Sequence, residues 1–134
     1  MSAYAVVVRD GALLMVEPAW AARWELPGGG VELQTQETLA EGARRECREE
    51  TGYRFTPSDE PRLVGESFFF LRRPDRYCHS LKFAVRGTVD DHPDPAWRRD
   101  PDEISMVRWV PLASLAEGDV HYPHWTALRI LELV

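Results

Sequence analysis

The fold is decided by a stretch that begins Gly28-Gly29-Gly30-Val31-Glu32, continues through Glu37 and ends Arg45-Glu46-Cys47-Arg48-Glu49-Glu50-Thr51-Gly52-Tyr53. The segment that closes at Gly52 is predicted to be a helix, with Glu46, Glu49 and Glu50 on one side of it. Glu46 and Glu50 repel each other across one turn, and the last turn of a helix disfavours negative charge. Because the helix breaks two local rules at one place, the pattern indicates a functional site. A carboxylate cluster of this kind favours a hard divalent cation.

A solvated helix held by salt bridges is the competing interpretation of the same residues. Glu41 can pair with an arginine one turn later, and Arg45 can pair with Glu49. These pairs account for the arginines and for part of the glutamates. They do not account for the glycine run upstream, or for the placement of Glu46 opposite Glu50. The metal site is therefore the favoured interpretation.

Composition restricts the class of protein. The 134 residues carry a formal net charge of −6 and 44% hydrophobic residues, which predicts one soluble domain over residues 1–134. The negative charge argues against a nucleic-acid polymer as the partner. No apolar run is long enough to span a membrane, and the N-terminus lacks a secretory pattern, so a cytoplasmic protein is expected. Cys47 and Cys78 form neither a metal spacing nor a disulfide framework.

Hydrophobic periodicity predicts an α/β fold with a mixed sheet in one layered domain. A hairpin is predicted around Asp10-Gly11. The main helix is predicted to begin at Glu37 or Thr38 and to end at Gly52. The remaining predicted strands are Trp24-Glu25-Leu26, Arg62–Leu71, Ser80–Val89 and Ile104–Val110, after hairpin strands Ala3–Val8 and Ala12–Val16, and the other predicted helices are Leu112–Leu115 and Pro123–Leu133.

The motif resembles the Nudix box, Gx5Ex7REUxEExGU, of the MutT-like Nudix hydrolases. Glu37 is followed by seven residues and then by the run from Arg45 to Tyr53. The lead-in from Trp24 to Glu32 and the segment from Glu103 to Leu112 are also similar to that family. One departure is that seven residues separate Gly29 from Glu37, where the family has five. The resemblance implies a Nudix-type α/β/α sandwich.

The resemblance also implies a reaction and a set of metal ligands. Nudix enzymes hydrolyse a nucleoside diphosphate linked to another group, with water attacking phosphorus and Mg²⁺, or Mn²⁺, bound to the helix carboxylates. By position in the motif, the metal ligands are expected to be Glu46, Glu49 and Glu50, the Gly28 carbonyl, and Glu103. Glu46 and Glu50 are the alternatives for the group that deprotonates water. For Glu103, an exposed residue at a strand start is an equally good interpretation.

Other residues are assigned to orientation and to substrate. Arg45 is expected to orient Glu37 and Glu49 through charge-assisted hydrogen bonds, which places Arg45 and Glu37 with the catalytic residues. The substrate contacts are expected to come from four residues: Arg23, Gly29, Gly30 and Phe70. A surface arginine is the alternative for Arg23, and core packing is the alternative for the aromatic run that contains Phe70. The histidines lack ligand spacing with either cysteine, which argues against zinc.

Several substrates remain open within the expected pyrophosphohydrolase activity. A nucleoside triphosphate is favoured, giving a monophosphate and pyrophosphate. Dinucleoside polyphosphates, nucleotide sugars and ADP-ribose are the alternatives. A different class of function is a regulatory or nucleotide-binding Nudix module without turnover. The expected partner is a nucleotide or a nucleotide derivative, and the chain is expected to be a monomer or a homodimer.

Overall fold

The computed structural model describes residues 1–134 and has two α-helices packed on mixed β-sheets. This confirms the predicted α/β class. The helices are α1 (Leu39–Thr51) and α2 (Tyr122–Ile130). The strands, in chain order, are β1 (Ser2–Val6), β2 (Val8–Arg9), β3 (Ala12–Pro18), β4 (Gly28–Gly30), β5 (Phe55–Pro57), β6 (Arg62–Leu71), β7 (Arg76–Val89) and β8 (Ile104–Pro111). Neither helix has the length and apolar character needed to cross a membrane.

Two sheets share the core. The larger sheet has the order β4-β1-β7-β5, with β6 also paired to β7, and the smaller has the order β2-β3-β8. The β1–β7 pair is parallel and the other pairs are antiparallel, so the larger sheet is mixed. Helix α1 packs against β1, β4 and β5, whereas α2 packs against β6. The result is the layered arrangement of helix, sheet and helix.

Alternation along β1 explains why both faces of the sheet are covered. Successive side chains of a strand point to opposite faces. Ala3 and Ala5 therefore pack with Ala43 of α1, whereas Val6 packs with Leu128 of α2. Both clusters are apolar, and they hold the two helices on opposite sides of the same strand.

The predicted strand Ala3–Val8 is divided in the structure. The chain leaves the larger sheet after β1 and enters the smaller sheet as β2, with the Val7 carbonyl accepting a hydrogen bond from the amide of Leu14. The hairpin predicted at Asp10-Gly11 is confirmed, and both turn residues have positive φ, 50° and 75°. A two-residue turn of this kind matches the twist of the flanking strands.

The predicted strand Trp24-Glu25-Leu26 is wrong, because those residues contribute only isolated bridges, Val16 with Glu25 and Trp24 with Val120. The strand lies four residues later, where β4 pairs antiparallel with β1. A Cβ atom on Gly28 would collide with the Ala3 carbonyl, so the close approach of the two strands requires glycine. Glycine has low strand propensity, which is why the sequence pattern did not indicate β4.

Three other elements differ from the prediction. β7 begins at Arg76 rather than at Ser80, so it pairs with β6 as far as Leu71. β5 was not predicted, because it is only three residues long. α2 ends at Ile130, before the predicted end at Leu133, and Glu132 has a positive φ of 58°, which does not continue a right-handed helix.

Candidate active site

Helix α1 presents Glu46 and Glu50 to the glycine strand β4. Its N-terminus is held by a capping box between Thr38 and Glu41, and its C-terminus by Gly52 at φ 77°. Ala43 and Cys47 on its apolar side are fully buried. The amide of Gly28 donates a hydrogen bond to Glu50 Oε1 at 2.7 Å.

Gly29 leaves room for the second carboxylate. A Cβ atom at this position would lie 2.8 Å from Oε1 of Glu46. Any side chain on Gly29 would therefore occupy space that the Glu46 carboxylate uses. The two glutamates that were predicted from helix spacing accordingly lie against two of the three consecutive glycines.

Glu50 is the most strongly perturbed carboxyl group of the site. Its pKa is raised to about 8, chiefly by burial; the hydrogen bond from Gly28 lowers it, and the charges of Glu46, Glu25 and Glu103 contribute to the rise. Glu50 takes part in none of the ion pairs of the structure: no arginine, lysine or histidine nitrogen lies within 4.0 Å of its carboxylate. An ionised Glu50 is thus a buried charge without a cationic partner, which is energetically unfavourable.

Glu46 shows the same effect in a weaker form. Burial raises its pKa, Arg45 lowers it, and Glu49 and Glu103 raise it again. Glu103 affects both Glu46 and Glu50, so the start of β8 lies near the helix carboxylates although Glu103 itself is exposed. The Glu49 side chain is also largely exposed. The predicted ligands therefore comprise two partly buried carboxylates and two exposed ones.

Arg45 connects the carboxylates to one another. Its Nε donates to Glu37 Oε1 at 2.7 Å, and its Nη1 donates to Glu46 at 3.0 Å and to Glu49 at 3.4 Å. Its Nη2 donates to the Gly30 carbonyl at 3.0 Å. The hydrogen bond from Arg45 holds the pKa of Glu37 below its ordinary value, so Glu37 remains ionised. One guanidinium thus fixes the helix, the upstream loop and the glycine strand together.

The two additional residues in the loop are accommodated by a short turn. Leu33–Thr35 form one turn of 3-10 helix, and Gln36 adopts a left-handed conformation at φ 57°. Glu37 then returns to the site, where its Oε2 accepts a hydrogen bond from the amide of Glu32 at 2.8 Å. The longer loop therefore leaves the contact between Glu37 and Arg45 intact.

This donor set fits a hard divalent cation. Carboxylate and backbone oxygens are the ligands that Mg²⁺ prefers. Glu46 and Glu50 are partly buried, which raises the pKa of both and makes their ionised forms unfavourable. A cation placed between the two carboxylates would stabilise the ionised forms. Arg45 lies on the Glu46 side and leaves Glu50 uncompensated.

Comparison with known proteins agrees with this arrangement. The family model for the NUDIX domain matches residues 1–129. The chain belongs to the NUDIX family. The box identified in the sequence is thus part of a match over nearly the whole chain, and membership of the family supports a pyrophosphohydrolase.

Solved structures share the fold at low sequence identity. A UDP-X diphosphatase is 22% identical with a TM-score of 0.70, and the match covers 99% of this chain and 60% of that chain. A NUDIX hydrolase from Nitrosomonas europaea is 22% identical with a TM-score of 0.73, covering 98% and 86%. An ADP-ribose pyrophosphatase from Streptococcus suis is 16% identical with a TM-score of 0.68, covering 98% and 87%. No curated protein sequence matches the chain.

Beside the Nudix carboxylates lies a cluster that sequence reasoning missed, formed by Glu25, His121 and His124. Their ligand atoms all lie within 4.8 Å of one another. The cluster was not predicted because Glu25 is almost a hundred residues from the histidines in sequence. His121 and His124 form no ligand spacing with either cysteine. Their spacing, three residues apart at the start of a helix, was the available signal.

Hydrogen bonding defines the state of this cluster. The amide of Leu26 donates to His124 Nδ1 at 3.1 Å, so the ring proton of neutral His124 is on Nε2, which lies 3.6 Å from Glu25. Burial lowers the pKa of His124 to about 3, so the ring is neutral. His121 Nδ1 lies 2.8 Å from Glu25 Oε2. A metal on His124 would have to displace the Nε2 proton.

A groove of about 550 Å³ opens between α2 and the strands β6 and β7. Its walls combine apolar residues such as Leu63 and Ile130 with the phenol of Tyr122 and the ammonium group of Lys82. Lys82 lies beside Ser2 in the sheet, and Ser2 lies beside Gly30 of β4, so the groove is two strands away from the glycines.

The predicted substrate contacts lie at different distances from the helix carboxylates. Gly29 and Gly30 lie at the carboxylates, and Arg23 is exposed just before the Trp24 bridge. Phe70 lies far from them. The sheet aligns Gly30, Ser2, Lys82 and Gly65 in one row across the strands. Phe70 is five residues beyond Gly65, or about 17 Å along the strand, so the structure does not bring it to the carboxylates.

Proposed function

We propose that this Nudix protein is a divalent-cation-dependent pyrophosphohydrolase that cleaves the pyrophosphate bond of a nucleoside diphosphate linked to another group. A nucleoside triphosphate is the first candidate, with a monophosphate and pyrophosphate as products. The observation that carries the proposal is the partly buried Glu50 carboxylate, which lies beside Glu46 without a cationic partner. Residues 1–134 would carry this activity as one domain.

Mg²⁺, or alternatively Mn²⁺, is the proposed cofactor. Its proposed ligands are the carboxylates and one backbone carbonyl named from the motif: Glu46, Glu49, Glu50, Glu103 and Gly28. A bound divalent cation supplies charge neutralisation at the phosphates and lowers the pKa of coordinated water. Two further observations support the assignment. The carboxylates raise one another's pKa, and glycine stands where a side chain would fill the space beside Glu46.

The chain's own groups prepare the attack of water. Glu50 accepts a hydrogen bond from the Gly28 amide through Oε1, which leaves Oε2 able to take a proton from water once the carboxylate is ionised. Glu46 is the alternative base, although its Oε1 already accepts a hydrogen bond from Arg45. Arg45 and Glu37 act by holding the other carboxylates in position.

The groove beside Lys82 supports a nucleotide-sized substrate. A nucleobase and ribose need an apolar slot with a few polar groups, and this groove offers both. Lys82 would attract the phosphates toward the carboxylates, and the backbone of Gly29 and Gly30 would lie against them. Arg23 is the proposed additional phosphate contact. Two structural neighbours are named as a UDP-X diphosphatase and an ADP-ribose pyrophosphatase, so nucleotide sugars and ADP-ribose belong among the candidate substrates.

The test is phosphate release, after phosphatase treatment of the products, from nucleoside triphosphates, nucleotide sugars, ADP-ribose and dinucleoside polyphosphates. Each substrate is assayed with Mg²⁺, with Mn²⁺ and with chelator. We expect metal-dependent turnover of one substrate class, reduced about 100-fold or more by Glu50→Gln. Glu60→Gln, an exposed residue in the loop before β6, is the matched control and should retain turnover. Nucleotide binding without turnover of any substrate would instead indicate a binding module.

A further inference from the structure

β6 and β7 extend beyond the rest of the sheet as a two-stranded ribbon, residues 66–81. β1 pairs with β7 from Lys82 to Arg86, so the part of β7 before Lys82 has only β6 as a neighbour. The ribbon pairs as far as Leu71 with Arg76. Two strands alone are marginally stable in water, and their outer edges carry unpaired backbone groups. The outer edges of the ribbon are therefore able to pair with a further strand.

The ribbon is also rich in exposed aromatic side chains. Tyr77 is 84% exposed and Phe68 is 70% exposed, and close to half of Phe69 and of Phe70 is exposed. Phe68 stacks on His79 with ring centroids 4.2 Å apart, and the Phe70 ring lies 5.0 Å from that of Tyr77. Phe69 points to the opposite face, beside Cys78. An apolar surface on both faces of a two-stranded ribbon marks an interaction site.

We propose that the free edge of β6 pairs antiparallel with the same edge of a second copy of this chain, about a two-fold axis at Phe69. In such a pair one residue must lie opposite its own copy, because the axis exchanges the two strands without exchanging their faces. With Phe69 on the axis, Glu66 lies opposite Arg72 of the second copy. Phe68 then lies opposite Phe70 of the second copy.

Charge selects this register among its neighbours. An axis at Phe68 would place Glu66 opposite Phe70 and leave Arg72 opposite Val64. An axis at Phe70 would place Glu66 opposite Pro74. Only the axis at Phe69 opposes the two charges, and symmetry forms this ion pair twice in each dimer.

The edge of β7 offers no comparable pairing. An axis at Cys78 would place Arg76 opposite Ser80, with no opposed charge. The antiparallel arrangement of β6 also separates the two ribbon tips, each of which carries Arg72, Arg73 and Arg76. Pairing of the two β6 strands over residues 66–72 makes a small interface, so the dimer should dissociate on dilution.

The test is sedimentation velocity over a dilution series, with charge reversals at both positions. We expect the wild type to dimerise reversibly, and Glu66→Arg and Arg72→Glu each to weaken association by about tenfold or more, because each places like charges opposite each other twice. The double variant should regain association. An equimolar mixture of the two single variants should also regain it as a heterodimer. Glu60→Arg, which lies outside the ribbon, should associate as the wild type does.

The rescue separates pairing between copies from effects within one ribbon. Glu66 also bonds His79 of its own chain at 2.8 Å, so Glu66→Arg alone could disturb the ribbon. Far-UV circular dichroism establishes that each variant is folded. A wild type that is monomeric at every concentration would overturn the proposal. A dimer that is indifferent to both single reversals, or that neither the double variant nor the mixture restores, would also overturn it.

Discussion

Glu50 is a partly buried carboxylate whose direct hydrogen-bond partner is the backbone amide of Gly28, at 2.7 Å. Its raised pKa of about 8 means that the folded state holds a proton that the unfolded chain releases near pH 4.5. Stability from this group is therefore complete below pH 4.5 and is lost as the pH rises through 8. The residue that the proposed chemistry most needs is one that destabilises the metal-free fold at alkaline pH.

Replacing Glu50 by glutamine should separate stability from activity. In chelator at pH 8.5, we expect Glu50→Gln to be more stable than the wild type by on the order of 1–3 kcal/mol, because it removes a buried charge and keeps an oxygen for the Gly28 amide. Turnover should be nearly lost. Urea denaturation measures the free energy of unfolding. A variant that is less stable than the wild type at pH 8.5 would show that the Glu50 side chain stabilises the fold at that pH, whereas the prediction requires its unpaired charge to destabilise the fold.

Cation binding at the same residue should depend on pH. Because a bound cation requires ionised Glu50, Mg²⁺ competes with a proton below pH 8. We expect the midpoint of Mg²⁺ binding, fitted from the dependence of the thermal shift on Mg²⁺ concentration, to lie at a concentration about 50-fold higher at pH 6 than at pH 8. Glu50→Gln should remove most of this difference. Equal midpoints at pH 6 and pH 8 in the wild type would contradict the assignment of Glu50 as a ligand.

At the scale of elements, β4 and α1 form the site as a pair, and the two differ in how well sequence indicates them. α1 is identified by its apolar side, its capping box and Gly52, all of which are local features. β4 consists of three glycines and has no periodicity to detect. Its strand character comes from pairing with β1.

 This pairing joins residues that are more than twenty positions apart, Ser2 with Gly30 and Tyr4 with Gly28, so no local pattern contains it.

A methyl group on β4 should therefore affect the site more than the fold. Gly29→Ala would place Cβ 2.8 Å from the Glu46 carboxylate, which lies at the end of a flexible side chain and can move. We expect turnover to fall about tenfold or more, with a change in unfolding free energy below about 1 kcal/mol. Gly118→Ala, where a Cβ would meet nothing within 4 Å, is the matched control. Loss of the fold in Gly29→Ala, shown by circular dichroism, would refute this explanation.

At the scale of the whole molecule, α2 is joined to the segment before the glycines by a buried histidine. His124 Nδ1 accepts a hydrogen bond from the amide of Leu26, and burial lowers the pKa of His124 to about 3. A group whose folded pKa is depressed contributes stability that is present above its unfolded pKa, near 6.5, and is lost as the pH falls toward 3. This dependence has the opposite sign to that of Glu50.

The two groups together predict a stability maximum for the metal-free protein. Between pH 4.5 and pH 6.5 the two contributions oppose each other, so stability should be greatest there. It should fall below about pH 4.5, where His124 still takes up a proton on unfolding, and above about pH 6.5, where Glu50 still releases one on unfolding. The measurement is urea unfolding in chelator from pH 4 to pH 9. Glu50→Gln should flatten the alkaline side and leave the acid side unchanged. A wild-type curve that keeps rising from pH 6 to pH 9 would contradict the prediction.

Sequence alone determined the features that depend on near neighbours along the chain. The period of the apolar residues and the helix caps located α1, the turn at Asp10-Gly11 located the first hairpin, and the box located Glu46 and Glu50. These features are predictable because the interactions that produce them lie within a few residues. The family and the α/β class followed from the same local patterns, and both are confirmed.

Tertiary structure decided which distant residues meet. It placed Glu25 beside His121 and His124, brought Glu103 near the helix carboxylates, and made a strand of the glycines. It also carried the ribbon of β6 and β7 away from the site, so that Phe70 lies on an exposed surface. The physical reason is that strand register and helix packing are set by the burial of the whole core. Neither can be deduced from the spacing of residues within one segment.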